Sequence, residues 1–217
     1  MRTETLGVVD LLANNNLISD LQFAGVLTPS QNVTEISRIY DSGMRAESWM
    51  YGYEIKTTSP LTGPSEVKVL ERNVISTAGD LSNKAEAFLR KLHSLSQIGI
   101  PIPRTYGRVR ATLYHDFIEG ECAESKLVRM QQGEFEEDFS DFAQLAEIAR
   151  KLDENGFATD NFLRDLVYDP KRKLFLYSDT GYDFGPKFEG SLTSNSSQLI
   201  KRFPRLQKAA QEFLQAS

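Results

Sequence analysis

The chain has 217 residues, of which 40% are hydrophobic and 25% are charged, enough apolar material for one compact domain or two small lobes. Its net charge of −5 argues against nucleic acid as a partner. The single cysteine, Cys122, excludes an internal disulfide and fits a reducing compartment. No run approaches the roughly 20 apolar residues of a membrane span, and the polar N-terminus lacks the pattern of a secretory signal peptide.

The first half of the chain predicts a small β-rich unit. After a helical or partly disordered lead-in over residues 1–35, turn signals and apolar periodicity predict three strands, a helix and two more strands. These elements are a hairpin over residues 38–58 that turns at 41–46, a strand within 65–75, a helix over 81–95 with Ser82 as N-cap, and two short strands within 108–121.

The second half predicts a mainly helical unit around one β-hairpin. An apolar stripe at helical spacing predicts a helix that ends at Asn155 and Gly156. A strand pair joined by the turn "PKRK" follows, over residues 166–169 and 173–179. Residues 191–197 are interpreted as a polar linker, and residues 197–214 as an amphipathic helix that is reset at Pro204. The fold class expected from both halves is α+β.

Three carboxylates flank the predicted hairpin: Asp160, Asp165 and Asp179. A two-stranded hairpin brings the residue before its first strand and the residue after its second strand to the same end, so Asp165 and Asp179 are expected to lie close together, with Asp160 nearby. Because like charges at short range raise one another's pKa, a divalent cation would stabilise the group. Oxygen ligands favour Mg²⁺ or Mn²⁺ over zinc. The alternative is three solvated turn aspartates.

The order and spacing of these residues resemble the protein-kinase and aminoglycoside-phosphotransferase superfamily. "ATDNFLRD" stands where the family has its catalytic loop, and "SDTG" where it has the metal-binding Asp-Phe-Gly segment. The resemblance implies a bilobal kinase-like fold with a β-rich N-lobe over 36–118 and a minimal helical C-lobe over 119–217. It also implies that Asp160 is the catalytic base, that Asp165 and Asp179 bind Mg²⁺ or Mn²⁺, and that ATP is the phosphate donor.

The catalytic segment departs from the family pattern at several positions. Ala158 and Thr159 replace the His and Arg that precede the catalytic Asp, and Asp165 replaces the metal-binding Asn. Phe162 lies where protein kinases have a Lys, so Arg164 is expected to contact the phosphates instead. Two alternatives stay open: Asn161 in place of Asp165, and Asp183 of "YDFG" in place of Asp179.

The first half supplies the remaining residues of the resemblance. "EVKVL" resembles the third-strand motif, in which Lys68 would contact the α- and β-phosphates, with Lys56 as the competing lysine. Glu86 in the following helix would hold Lys68 in place, because a free ammonium is strongly hydrated. The alternative is that Lys68 and Glu86 are exposed surface residues.

Two further segments resemble nucleotide contacts of the family. "IYDSGMRAESWMY" resembles the glycine-rich phosphate loop, although only Gly43 remains of three glycines and Asp41 holds the place of another. A lone glycine between strands also fits a simple turn. "LYHDFIEGE" resembles the hinge, where Asp116, Phe117 and Ile118 would offer backbone groups to adenine.

The short stretch after Asp179 resembles the minimal kinases that bacteria inject into host cells by type III secretion, among them the HopBF effector family. That resemblance implies a serine/threonine kinase, secreted into the host cytosol or retained in the bacterial cytoplasm, that acts on a host protein. For that family the implied target is the 90-kDa heat-shock chaperone. Three alternatives remain: a small-molecule phosphotransferase, a pseudokinase that serves as a binding module, and an unrelated interaction protein. The sequence does not indicate an oligomeric state.

Overall fold

The computed structural model describes residues 4–6, 15–44, 48–60, 62–74, 81–132, 139–159, 161–178, 185–186 and 194–202. The chain divides into two compact units. The first comprises Met1–Leu89 and Pro103–Phe117, and the second comprises Arg90–Ile102 and Ile118–Ser217. The last boundary lies one residue from the one expected between residues 118 and 119. The predicted lead-in, by contrast, belongs to the first unit.

The first unit is built on a six-stranded antiparallel sheet in the order β1-β2-β3-β4-β6-β5. Three long strands follow one another as a meander, and the chain then forms a helix before it returns to add two short strands. The elements are β1 (Glu4–Leu6), α1 (Asn15–Phe23), β2 (Asn32–Met44), β3 (Ser48–Ser59), β4 (Gly63–Val74), α2 (Leu81–Gln97, which continues into the second unit), β5 (Thr105–Val109) and β6 (Thr112–Asp116).

Residues 1–35 were expected to form a helical or partly disordered lead-in, and the described part contains a helix but packs into the first unit. β1 pairs with β2, and α1 and the turn after it bury Leu21, Ala24 and Leu27 in the core of the first unit. These apolar side chains cover one face of the sheet, which would otherwise expose residues such as Ile55 and Val69 to water. The segment is therefore part of the fold of the β-rich unit.

The second unit is mainly helical and has its own apolar core. The helix over Ala123–Gln131 was not predicted from the sequence, whereas the helix over Phe139–Glu154 and the hairpin that follows it lie where the sequence predicts them. The elements are α3 (Ala123–Gln131), α4 (Phe139–Glu154), β7 (Phe157–Ala158), α5 (Phe162–Asp165), β8 (Leu166–Asp169), β9 (Leu174–Tyr177), β10 (Gly185–Pro186) and α6 (Asn195–Arg202). β8 pairs with β9 and β10 pairs with β7, both antiparallel.

The β8–β9 hairpin is closed by the predicted turn. The Asp169 carboxylate accepts hydrogen bonds from the backbone N–H groups of Lys171 at 2.8 Å and Arg172 at 3.2 Å, and Lys173 adopts a positive φ of 54°. Such a side-chain cap is the usual role of aspartate at the first position of a turn. The described chain is thus α+β, as predicted, and none of its described helices is long and apolar enough to cross a membrane.

Candidate functional site

Asp165 lies where the short helix α5 passes into β8, at the open end of the hairpin. The Tyr177 hydroxyl, from the end of β9, donates a hydrogen bond to Asp165 Oδ2 at 3.1 Å. Ser178 donates to the Asp165 carbonyl oxygen from its N–H at 2.8 Å and from its Oγ at 3.1 Å. Tyr177 is buried and Asp165 is half-buried. The hairpin therefore brings the end of the second strand to Asp165.

The other two carboxylates of the predicted metal site, Asp160 and Asp179, lie outside the described residues, as does the alternative Asp183. Their immediate neighbours are described: Thr159 is buried, and Ser178 is bonded to Asp165. Within the described ranges, no three His, Cys, Asp or Glu side chains come together as they would around a metal ion.

The residues between Asp160 and Asp165 make different contacts from those expected. Arg164, predicted to contact the phosphates, forms an ion pair with Glu124 of α3 at 2.5 Å, and 61% of its side chain is exposed. This pairing raises the pKa of Arg164 and compensates its charge within the second unit. Asn161, the alternative metal ligand, is exposed and lies at the N-cap of α5 without a capping hydrogen bond from its side chain.

Lys68 and Glu86 each lie beside another partner. Lys68 lies on β4 opposite Glu54 of β3, and its ammonium is 3.1 Å from that carboxylate and 3.8 Å from Glu66. Glu86 on α2 pairs with Arg108 of β5 at 3.2 Å. Because the register of β3 and β4 already supplies a cross-strand carboxylate, the expected Lys68–Glu86 pair is replaced in the structure by two other pairs.

The competing lysine, Lys56, differs from Lys68 in exposure. Its side chain is 46% exposed and pairs with Glu35 on the neighbouring strand at 3.0 Å, whereas the Lys68 side chain is 21% exposed. The hydrogen bond to Glu35 raises the pKa of Lys56, as expected for a surface ion pair. Lys68 is thus the more enclosed of the two ammonium groups.

The predicted phosphate loop begins inside a strand. Gly43 lies within β2, one residue before its end, and a register irregularity separates Asp41 from Met44 in the pairing with β3. The Asp41 carboxylate accepts a hydrogen bond from Trp49 Nε1 at 3.0 Å across the hairpin. Residues 45–47, at the predicted turn, lie outside the described residues.

The segment that resembles the hinge follows β6. The N–H groups of Asp116 and Phe117 donate to the carbonyls of Arg104 at 2.9 Å and Lys68 at 3.1 Å, and the Ile118 carbonyl accepts from Gly120. The N–H groups of Asp116 and Phe117 are therefore bonded to protein carbonyls, and the adenine contact that the resemblance implies at this segment stays a prediction.

Sequence reasoning missed the residues that hold the loop around Asp160. The stretch interpreted as a linker, residues 191–197, instead contains the start of helix α6 at Asn195. The side chains of Asn195 and Gln198 hydrogen-bond to the backbone of the loop at Phe157 and Thr159. The available signal was the Ser-Asn pair directly before "SSQLIKR", since both residue types favour helix N-caps.

No protein-family model matches the chain, and a search of curated proteins also found no match.

Proposed function

We propose that the chain is an ATP-dependent phosphotransferase that requires Mg²⁺ or Mn²⁺, and that it is a minimal serine/threonine protein kinase with a bilobal kinase-like fold. The main support is the pair of hydrogen bonds from Ser178 to Asp165. Ser178 directly precedes Asp179 in the sequence, so these bonds bring the residue before the second predicted metal ligand to the first. The donor set of the two carboxylates is hard oxygen, which fits Mg²⁺.

The first unit supports the same proposal through the order of its elements. Three long strands, a helix and two short strands follow in the order that the resemblance implies. Lys68 lies on the third of the long strands, and Glu86 lies on the helix that follows. The half-enclosed Lys68 ammonium is the candidate contact for the α- and β-phosphates, and Glu54 holds it in a defined position through their ion pair.

The roles proposed for the protein's own groups are positional. Tyr177 fixes the orientation of the Asp165 carboxylate, which limits the reorganisation needed when that carboxylate binds a cation. Asp160 would orient the hydroxyl of the acceptor for in-line attack on the γ-phosphorus and accept its proton. When bound, Mg²⁺ would neutralise charge on the phosphate oxygens.

The acceptor proposed is a serine or threonine of a host protein, after delivery of the chain as a bacterial effector. This part of the proposal follows from the resemblance to the HopBF effector family, for which the 90-kDa heat-shock chaperone is the implied target. The chaperone therefore enters the test as one defined acceptor beside an unfractionated lysate.

The test is transfer of labelled γ-phosphate from Mg·ATP to proteins of a dialysed eukaryotic lysate and to the purified chaperone. Wild type is compared with Asp165→Ala, which removes the one predicted metal ligand, of Asp165 and Asp179, that lies within the described residues. Glu154→Gln is the matched control, because it removes a carboxylate from the exposed end of α4 that pairs only along its own helix, with Arg150 at 2.6 Å. We expect a discrete labelled band with wild type and the control, and none with Asp165→Ala.

The other results assign different functions. Binding of Mg·ATP without transfer to any protein would replace the kinase by a pseudokinase, and stimulation of ATP turnover by a sugar or an aminoglycoside would indicate a small-molecule phosphotransferase. Absence of Mg-dependent ATP binding would overturn the proposal altogether, and the aspartates would then be turn residues.

A further inference from the structure

Helix α6 is bonded to the chain on both sides of Asp160. Gln198 Nε2 donates to the carbonyl oxygen of Thr159 at 2.6 Å, and Gln198 Oε1 accepts from the N–H of Phe162 at 3.3 Å. One side-chain amide is therefore bonded to Thr159 and to Phe162, the two residues that flank positions 160 and 161 in the sequence.

Asn195, which is fully buried, adds two bonds at the start of the same loop. Its Nδ2 donates to the carbonyl oxygen of Phe157 at 2.8 Å, and its Oδ1 accepts from the Thr159 hydroxyl at 3.4 Å. Thr159 is itself 2% exposed. Buried polar groups that are all paired in this way fix one backbone conformation, because any other conformation would leave some of them without a partner.

The N-terminus of α6 is in turn anchored to α4 by Asp153. Asp153 Oδ1 accepts from the N–H and from Nδ2 of Asn195, both at 2.9 Å, and its Oδ2 accepts from the Ser196 N–H at 3.0 Å. A carboxylate at this position satisfies the first N–H groups of the helix and interacts favourably with its dipole. The bonds to the loop therefore start from a helix whose own position is fixed.

We infer that Gln198 and Asn195 are positioning residues, which fix the backbone at Phe157, Thr159 and Phe162 on either side of the proposed catalytic base in the sequence. The inference depends on the proposed function, since it assigns a catalytic consequence to these bonds. Neither residue needs to touch ATP or the acceptor. Small displacements of a catalytic group lower the rate of the chemical step much more than they lower substrate binding. Loss of a positioning residue should therefore lower kcat and leave the KM for ATP nearly unchanged.

The chemistry of Gln198 offers an isosteric test. An amide has both a donor and an acceptor, whereas a carboxylate has acceptors only. Gln198→Glu can still accept from the Phe162 N–H but places a negative charge against the Thr159 carbonyl. Gln97→Glu, at an exposed position on α2, is the matched control because it introduces the same charge by the same substitution.

The experiment measures kcat and the KM for ATP from the initial rate of γ-phosphate transfer to lysate proteins, with the rate of Asp165→Ala as background. Amide hydrogen exchange over residues 157–162 is recorded on the same samples. For Gln198→Glu we expect a fall in kcat on the order of tenfold, a KM for ATP within about twofold of wild type, and faster exchange in this segment. Gln97→Glu should match wild type in all three.

The results separate the two proposals. If wild type transfers phosphate and Gln198→Glu keeps its kcat while its loop exchanges faster, the bonds are merely structural and the positioning role is overturned. If Gln198→Glu is too unstable to assay, Gln198→Met, which keeps the length of the side chain and removes both hydrogen bonds without adding a charge, decides by the same criteria. If wild type transfers no phosphate, the proposed function falls first, and the catalytic role of Gln198 with it.

Discussion

Ser178 donates two hydrogen bonds to one acceptor, the carbonyl oxygen of Asp165, while its neighbour Tyr177 donates to the Asp165 carboxylate. Main chain and side chain of Asp165 are thus held by two consecutive residues at the end of β9. Under the proposed function, these bonds would keep the Asp165 carboxylate in one orientation when a cation binds.

We predict that Tyr177→Phe raises the Mg²⁺ concentration needed for half-maximal stabilisation by ATP by about tenfold, since loss of a bond to a ligating carboxylate typically costs 10–100-fold in metal affinity. The measurement is a Mg²⁺ titration of the thermal shift at fixed ATP. Tyr168→Phe is the control, because its ring keeps its place over Lys126. Equal midpoints for wild type and both variants would contradict the role of Tyr177.

We predict that Lys68→Met lowers phosphate transfer at least tenfold, whereas Lys56→Met leaves it within about twofold, because removal of a charged donor from a phosphate costs about 1.5–3 kcal/mol. Both lysines lie on the central strands and both pair with a cross-strand glutamate, which makes the pair of variants well matched. The measurement is the initial rate at saturating Mg·ATP. The opposite ranking would assign the phosphate contact to Lys56.

Buried His115 is expected to make the first unit acid-sensitive. Burial, with a smaller contribution from Arg72, lowers the pKa of His115 to about 3, against an ordinary value of 6.5. Since the unfolded chain binds a proton below pH 6.5 and the folded chain does not, stability is complete above that pH and falls as the pH decreases toward 3. Between pH 6.5 and pH 5 this contributes a loss of about 2 kcal/mol.

The measurement is urea unfolding of wild type and His115→Gln at pH 7.5 and pH 5. The variant should lose less stability than wild type between pH 7.5 and pH 5, because it lacks the titrating imidazole. Burial of its amide is expected to lower its stability at both pH values. Desolvation raises the pKa of the half-buried Glu71, so the contribution of Glu71 to stability increases as the pH falls, and this contribution is the same in both proteins. The same loss in both proteins would show that His115 does not set the acid sensitivity.

The sequence predicts the strongly periodic elements well and the tertiary contacts poorly. The helix that ends at Glu154 and the hairpin closed by Asp169 have local signals, an apolar stripe and a capping turn, and both are found. Residues 15–27 were missed as part of the core because their role is to cover a sheet formed mostly by later residues.

The candidate site shows the same limit. Hairpin geometry alone predicts that Asp165 lies close to the end of β9. The hydrogen bond from Ser178, the residue after β9, to the Asp165 carbonyl oxygen confirms this. The partner of Lys68 depends on the register between β3 and β4, and the partner of Arg164 depends on the position of helix α3. A sequence motif encodes neither of them. Gln198 is far from the loop in sequence, so only the packing of α6 identifies its bonds to Thr159 and Phe162.

The last prediction concerns a buried charge pair in the second unit. Lys126 of α3 pairs with Asp141 of α4, with side chains 13% and 7% exposed, and its ammonium lies 3.1 Å from the centre of the Tyr168 ring. Loss of one member leaves the other buried and uncompensated, so we expect Lys126→Met to lower the free energy of unfolding by about 3–5 kcal/mol. The measurement is urea unfolding followed by far-ultraviolet circular dichroism.

The double variant Lys126→Met/Asp141→Leu separates the cost of an orphaned charge from the value of the pair itself. Two apolar side chains of similar volume remove both charges together, and such replacements are often close to neutral. We therefore expect the double variant to recover most of the stability that Lys126→Met loses, because the desolvation cost of the lone carboxylate disappears. A double variant as unstable as the sum of its single variants would instead show that the Lys126 contact with the Tyr168 ring, rather than the charge balance, stabilises this part of the unit.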